Sequence, residues 1–218
     1  MTLALFDLDN TLLQTDSDHA WGRFLSDKKL VDEEEHSRMN DYFYQQYSSG
    51  TLDIHEYARF SLKFLSENSR DTLDSLHQQF MQEYILPNIS SASRQLLAQH
   101  KAENHTLVII TATNSFVTGP IARELGVEHL LAIEPKIIDG QYSRKIDGIP
   151  TFREGKVTRL NAWLENRSET LSGSFFYSDS HNDLPLLEIV DHPITVDPDP
   201  KLLSVAEEKG WPVMSLKG

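Results

Sequence analysis

The 218-residue chain has no cysteine, which removes disulfides, thiolate metal sites and cysteine nucleophiles from consideration. It has no apolar run near the roughly 18 residues that a membrane span needs. Its first apolar run, Thr2–Phe6, has no basic lead and meets Asp7 too early for a secretion signal. Positive charge is scarce, with 20 Lys and Arg against 33 Asp and Glu and a formal charge of -13. Such a surface repels nucleic acid and anionic membranes, so neither is expected as a partner, and any anionic ligand must be met by local cations or a metal. A cytoplasmic location is expected. No internal repeat or low-complexity segment stands out, and nothing in the chain signals an oligomeric state.

What is present reads as an ordinary globular chain, 39% apolar and 24% charged. Short β-rich runs at Thr2–Phe6, Thr106–Ile110, Leu130–Ile133, Ser174–Ser178 and Pro193–Val196 predict buried strands. Helical periodicity marks Phe116–Leu125, Gly155–Glu165 and Leu184–Val190 between the later strands. Alternating strands and helices predict an α/β fold with a doubly wound parallel sheet. One interval breaks the alternation. From Asp16 to Pro87 only amphipathic helical stretches occur, about four, with polar breaks at Ser49-Gly50 and Asn68-Ser69. This predicts a small helical bundle inserted after the first strand, with Tyr42, Phe43 and Tyr44 packed inside it. Asp139-Gly140, within Lys136–Ile146, predicts a β-hairpin.

The first strand runs into FDLDNTLLQTDSD, which places Asp7, Asp9, Asp16 and Asp18 within a dozen residues. Helix capping explains isolated Asp residues but not two on alternate positions beside a buried strand. A calcium loop fails because Leu12 stands where glycine is needed and because a strand, not a helix, precedes it. A metal-assisted phosphoryl-transfer site predicts three further parts. A strand-end hydroxyl is supplied by Thr111 in TLVIITATNSF, a cation by Lys156 in FREGKVTRL, and a second acidic cluster by Asp179 and Asp183 in FFYSDSHNDLPLL. A lysine on a helix is commonly just solvated, and a strand-end threonine commonly caps; their order with the acidic clusters is what gives them weight.

DLDNT, IITATN, the Lys of EGKVTRL and YSDSHNDLPLL resemble the four motifs of the haloacid dehalogenase-like phosphatase superfamily, and most closely its phosphoserine-phosphatase-like branch, the subfamily IB hydrolases. The resemblance spans nearly the whole chain. It implies a Rossmann-like catalytic core from residues 1–15 and 88–218, with residues 16–87 as a helical cap governing substrate choice. It implies a Mg²⁺-dependent phosphomonoesterase with Asp7 as nucleophile forming an aspartyl-phosphate and Asp9 as general acid and base. Mg²⁺ would be held by Asp7, the Asp9 carbonyl and Asp179. Thr111 and Lys156 would bind the phosphoryl group, and Asn182, Asp183 and Asn114 would lie around the phosphate or the metal-bound water. Two departures stand out. Phosphoserine phosphatases carry Ser-Gly-Gly-Phe at the second motif, where this chain reads Thr111-Ala112-Thr113-Asn114-Ser115-Phe116; Ser180 replaces the usual glycine of the fourth, and His181 beside it reads as a rim residue.

The expected partner is a small phosphorylated metabolite. Asp16 stands nine residues after Asp7, where phosphoserine phosphatases place a glutamate that meets the substrate ammonium. A helix cap explains Asp16 or Asp18 equally well, and both readings can hold. Asp16, Asp18, His19 and Trp21 suit an amine with an imidazole, and some subfamily IB hydrolases act on histidinol phosphate; Arg59 is the candidate for the carboxylate that phosphoserine would add. Histidinol phosphate is favoured over phosphoserine. A phosphotransferase passing the phosphoryl group to an alcohol is the enzymatic alternative, and a non-catalytic binding module is disfavoured because every motif position is intact.

Overall fold

The computed structural model describes residues 2–217. Its centre is β1 (Leu3–Phe6), whose four residues are all fully buried. β1 pairs in parallel with β2 (Thr106–Asn114) on one side and with β5 (Phe175–Ser178) on the other. Beyond β2 lie β3 (His129–Ile138) and β4 (Gln141–Asp147); beyond β5 lie β6 (His192–Val196) and the two-residue β7 (Val213–Met214). The order is β4-β3-β2-β1-β5-β6-β7, parallel throughout except for the β3–β4 hairpin. Asp139 and Gly140 turn that hairpin with φ of 50° and 80°, the pair of positive angles a tight two-residue turn requires.

Alternation along the strands divides the core into two layers. Leu3, Leu5, Val108 and Ile110 face α8 (Glu154–Leu164), α9 (Leu184–Leu187) and α10 (Pro200–Lys209). Ala4, Phe6, Leu107 and Ile109 face the opposite layer, which contains α6 (Ser91–Ala102) and α7 (Ser115–Glu124). Such burial is worth about 25 cal/mol per Å² of apolar surface, which is why short runs with no polar member set the sheet. The order reverses at β1 and β5, and in doubly wound sheets ligands gather at the carboxyl ends of the strands flanking that reversal.

Residues 16–87 hold five helices rather than four: α1 (Ser17–Asp27), α2 (Glu33–Ser49), α3 (Ile54–Ser61), α4 (Lys63–Glu67) and α5 (Arg70–Phe80), the last continuing into a wide turn at Met81–Ile85. Asp16, Asp32, Asp53 and Ser69 cap α1, α2, α3 and α5, each accepting backbone amides of the first turn. The stretch read as one helix, IHEYARFSLKFL, breaks at buried Leu62 (φ -85°, ψ 0°), and both halves rest on β4. The insert has no separate core. Trp21, Phe24 and Phe80 are continuous with Phe116 and Val117 of α7 and with the sheet. Of the three expected interior aromatics, only Phe43 is buried; Tyr42 and Tyr44 are exposed, because three consecutive residues cannot share one helix face. The helix read over Leu184–Val190 closes after Leu187. Among the described residues no helix is long and apolar enough to cross a membrane.

Candidate active site

Asp7 follows β1 directly, its amide donating to the Tyr177 carbonyl of β5 at 2.9 Å. The chain then turns back on itself. Asn10 takes φ of 56°, its amide reaches the Thr15 carbonyl at 3.1 Å, and the Leu13 amide closes on Leu8 at 2.9 Å. Asn tolerates this left-handed conformation better than most residues. The turn brings Asp7 and Asp9 to the same cavity wall, with Thr111 and Thr113 from the end of β2. The β2–β3 register shifts between Ile110 and Asn114, an irregularity that re-aims strand-end side chains.

Lys156, 1% exposed, reaches in from the first turn of α8, its Nζ 2.7 Å from Asp7 Oδ1 and 2.7 Å from Asp183 Oδ2. Only glycine fits before it, since a Cβ on Gly155 would stand 1.9 Å from the Pro150 carbonyl oxygen. Ser178 donates to Asp183 at 2.7 Å, and Thr11 links the first loop to the fourth motif, receiving the Asp179 amide at 3.1 Å and donating to Asp179 Oδ1 at 3.3 Å. Asp9 is held at both oxygens: Oδ1 accepts the Ser17 amide at 2.7 Å, and Oδ2 accepts Thr113 Oγ1 at 2.8 Å and, more distantly, Thr111 Oγ1 at 3.4 Å.

Asp7 and Asp183 thus hold the ammonium, and Asp9 and Asp179 stand close enough to Asp7 to repel it. Burial pushes Asp7 up to about 7 against the pull of Lys156, and burial with Asp16 nearby pushes Asp9 up to about 6. Burial, then repulsion from Asp7 and Asp183, raises Asp179 well above the carboxylate range. Burial works against the Lys156 charge, but Asp183 and Asp7 outweigh it and raise its pKa. The site has an excess of negative charge that a bound cation would relieve.

A family model for the haloacid dehalogenase-like hydrolases matches residues 4–188, a span that includes every residue of this cluster. The chain belongs to the haloacid dehalogenase-like hydrolases. The hydrolase is 44% identical to the histidinol-phosphatase of Neisseria meningitidis serogroup C, over 99% of each chain. In structure it is similar to a protein of unknown function from Bordetella pertussis Tohama I (TM-score 0.93, 43% identity, 100% of both chains). It shares its fold with a substrate-bound phosphoserine phosphatase (TM-score 0.72, 14% identity, 99% of this chain and 93% of that one).

Opposite the wall formed by Asp7, Asp9, Thr111 and Thr113, the insert of the hydrolase supplies Asp16 at the cap of α1, Asp18 and His19 within α1, Asn40, Phe43, Tyr44 and Tyr47 from α2, and Tyr57 from α3. Asp16 both caps α1, accepting the Asp18 and His19 amides at 3.0 and 2.9 Å, and lines the cavity. Asp18 accepts the Tyr57 hydroxyl, and burial raises its pKa to about 6. No lysine or arginine lines this cavity among the described residues. Asn182 spans to the insert, its Nδ2 donating to the Tyr47 carbonyl at 3.0 Å while Arg153 Nε donates to its Oδ1 at 3.2 Å; Arg153 Nη2 also donates to the Gly50 carbonyl. His181 lies off the cavity, paired with Asp199 at 2.8 Å.

Three expected site residues lie elsewhere. Trp21 is 3% exposed and packs against Phe24, Phe80 and Phe116; its spacing with Phe24 and Leu25 is the i, i+3, i+4 stripe of a core face. Arg59 lines a separate outer groove with His36, Glu56 and Lys63, because α3 turns Tyr57, not Arg59, toward the cavity. Asn114 caps α7, accepting the Val117 amide at 3.2 Å. Tyr57, Tyr47 and Asn40 are not legible as site residues in the sequence. Their positions depend on how α2 and α3 lie over the strand ends, whereas Thr113, at alternate spacing from Thr111, carries a recognisable signal.

Proposed function

We propose that the hydrolase is a Mg²⁺-dependent phosphomonoesterase whose substrate is histidinol phosphate. The observation that carries this reading is the side of the cavity lined by the insert: Asp16 and Asp18 with aromatic walls from Phe43, Tyr44 and Tyr57, and, among the described residues, no lysine or arginine. A cationic amine with a flat ring meets charge and stacking there. The α-carboxylate of phosphoserine would enter the same space beside two aspartates and meet no lysine or arginine among the described residues. The name of the Neisseria relative supports the same choice.

In this reading, an Asp7 carboxylate oxygen attacks phosphorus as the bond to the leaving alcohol breaks, and the Asp9 carboxyl gives its proton to the departing oxygen. Water then attacks the aspartyl-phosphate, yielding its proton to Asp9 and releasing inorganic phosphate and free Asp7. Thr111 donates to a phosphoryl oxygen, and Lys156 offsets charge between nucleophile and phosphate. Asp183 and Asn182 orient the groups around them. Residues 16–87 act as the cap over a core of residues 1–15 and 88–218, and the enzyme works in the cytoplasm on a free metabolite.

The donors available suit Mg²⁺. Asp7, Asp179 and the Asp9 carbonyl offer hard oxygens in a locally anionic, buried setting. Mg²⁺ commonly binds through one or two carboxylates and retains water. The ion would neutralise the phosphoryl charge as the carboxylate approaches.

A panel of histidinol phosphate, phosphoserine, phosphoethanolamine and sugar phosphates tests the proposal by kcat/KM with and without Mg²⁺. Histidinol phosphate should lead, with no phosphate released in the presence of chelator. A sugar phosphate in first place would overturn the substrate, and metal-independent turnover would overturn the cofactor.

A further inference from the structure

We propose that Thr113 is a positioning residue for Asp9, holding the carboxyl that exchanges protons with the leaving alcohol and the attacking water. The proposal rests on the reading of Asp9 as proton donor and acceptor. It adds a residue that the family resemblance does not supply, since Thr113 stands where the Ser-Gly-Gly-Phe pattern carries its second glycine and no hydroxyl.

The geometry is specific. Thr113 Oγ1 donates to Asp9 Oδ2 at 2.8 Å, the shortest side-chain contact Asp9 makes. Thr113 is 5% exposed, and a β-branched side chain on a strand has few rotamers to choose from. Its amide donates to Thr111 Oγ1 at 3.1 Å, so the two hydroxyls are fixed relative to each other. Thr111 contacts the same Asp9 oxygen only at 3.4 Å. When Thr111 turns to a phosphoryl oxygen, Thr113 becomes the hydroxyl left on Asp9.

The other anchor of Asp9 belongs to the insert: Oδ1 accepts the Ser17 amide at 2.7 Å. One carboxylate is thus held between the sheet, through Thr113, and the first turn of α1. Two donors on opposite oxygens fix the plane of the carboxyl while leaving each oxygen a free lone pair. Without Thr113, and with Thr111 turned to the phosphoryl group, the carboxyl pivots about its remaining bond to the Ser17 amide. General acid catalysis is sensitive to such misplacement.

The test compares Thr113→Val, Thr113→Ala, Thr113→Ser and Asp9→Asn on two kinds of ester. One is the alkyl phosphate turned over best in the substrate panel; the other is para-nitrophenyl phosphate, whose phenolate departs without a proton. For Thr113→Val we expect kcat on the alkyl ester to fall by about tenfold to a hundredfold, with KM nearly unchanged. On the aryl ester the first step should keep its rate, read as a burst of phenolate, and be followed by a slowed steady state as the aspartyl-phosphate waits for an activated water. Thr113→Ala should behave alike if the valine variant does not fold, and Thr113→Ser should restore the wild-type profile. Equal losses on both esters in the first step, or no loss on the alkyl ester, would overturn the role of Thr113. An Asp9→Asn enzyme with undiminished alkyl turnover would instead overturn the reading of Asp9 itself, so the two failures are distinguishable.

Discussion

Lys156 carries the electrostatic balance of the site at the scale of single residues, since its almost fully buried ammonium is shared between Asp7 and Asp183. Replacing it with methionine leaves those carboxylates facing each other. The expected cost is about 3–5 kcal/mol of stability by urea titration, the range for a buried pair that loses one member. Asp7→Asn has a different signature, because it removes a negative charge from an overcrowded cluster. It should abolish turnover by a factor of roughly 10⁴ or more while leaving the unfolding midpoint unlowered; residual phosphate release would show that another group is the nucleophile. Asp18 lines the cavity on the insert side, and the proposed substrate gives it a role in specificity. Asp18→Asn should lower kcat/KM for the amine substrate by about tenfold to a hundredfold, the worth of a charged hydrogen bond, and leave para-nitrophenyl phosphate turnover unchanged. An equal effect on both substrates would remove Asp18 from recognition of the leaving group.

Elements position these groups by close approach rather than by loop flexibility. The start of α8 lies so near Pro150 that a Cβ at Gly155 would overlap its carbonyl oxygen at 1.9 Å, and Lys156 is the next residue. Gly155→Ala should therefore cost about 1–3 kcal/mol by overpacking and lower kcat, as the helix carrying the ammonium is displaced; thermal unfolding and steady-state rates check both. At the other side of the cavity α2 ends at Gly50, whose φ of 76° terminates the helix and whose carbonyl receives Arg153. The helical stretches of the insert are readable from their amphipathic patterns and polar breaks, Ser49-Gly50 and Asn68-Ser69 among them. The bend at Leu62 is not, because it is imposed by β4, which lies far away in sequence. Local propensity has no knowledge of such a partner.

The whole molecule joins the insert to the sheet through one apolar layer, and buried histidines make that layer sensitive to acid. His77 Nε2 lies 2.9 Å from the Val117 carbonyl, and its ring packs among Trp21, Phe80 and Phe116. Burial holds its pKa below the 6.5 of an exposed histidine. The unfolded chain therefore takes up the proton first as pH falls, so the stability from neutral His77 is complete above about pH 6.5 and declines below it. Urea midpoints at about pH 8 and about pH 5 should show the loss, and His77→Gln should reduce the difference between them. An unchanged difference would assign the acid sensitivity to other groups. His36 and His100, also lowered by burial, act in the same direction.

The sequence by itself determined the central strands of the sheet and their chemistry-bearing ends, though not the short edge strand β7. Runs such as Leu3–Phe6 and Leu107–Ile110 have no polar residue to expose, so they must be buried strands. Asp7, Asp9, Thr111, Lys156, Asp179 and Asp183 follow such runs or open the next helix, where a doubly wound sheet gathers them. The tertiary structure alone decided which insert residues face that gathering. Asp16 and Asp18 turn to the cavity with Tyr57, while Trp21 turns to the core and Arg59 to the outer groove. Periodicity shows that a helix has two faces, but only the packing of α1, α2 and α3 over the strand ends determines which face lines the cavity.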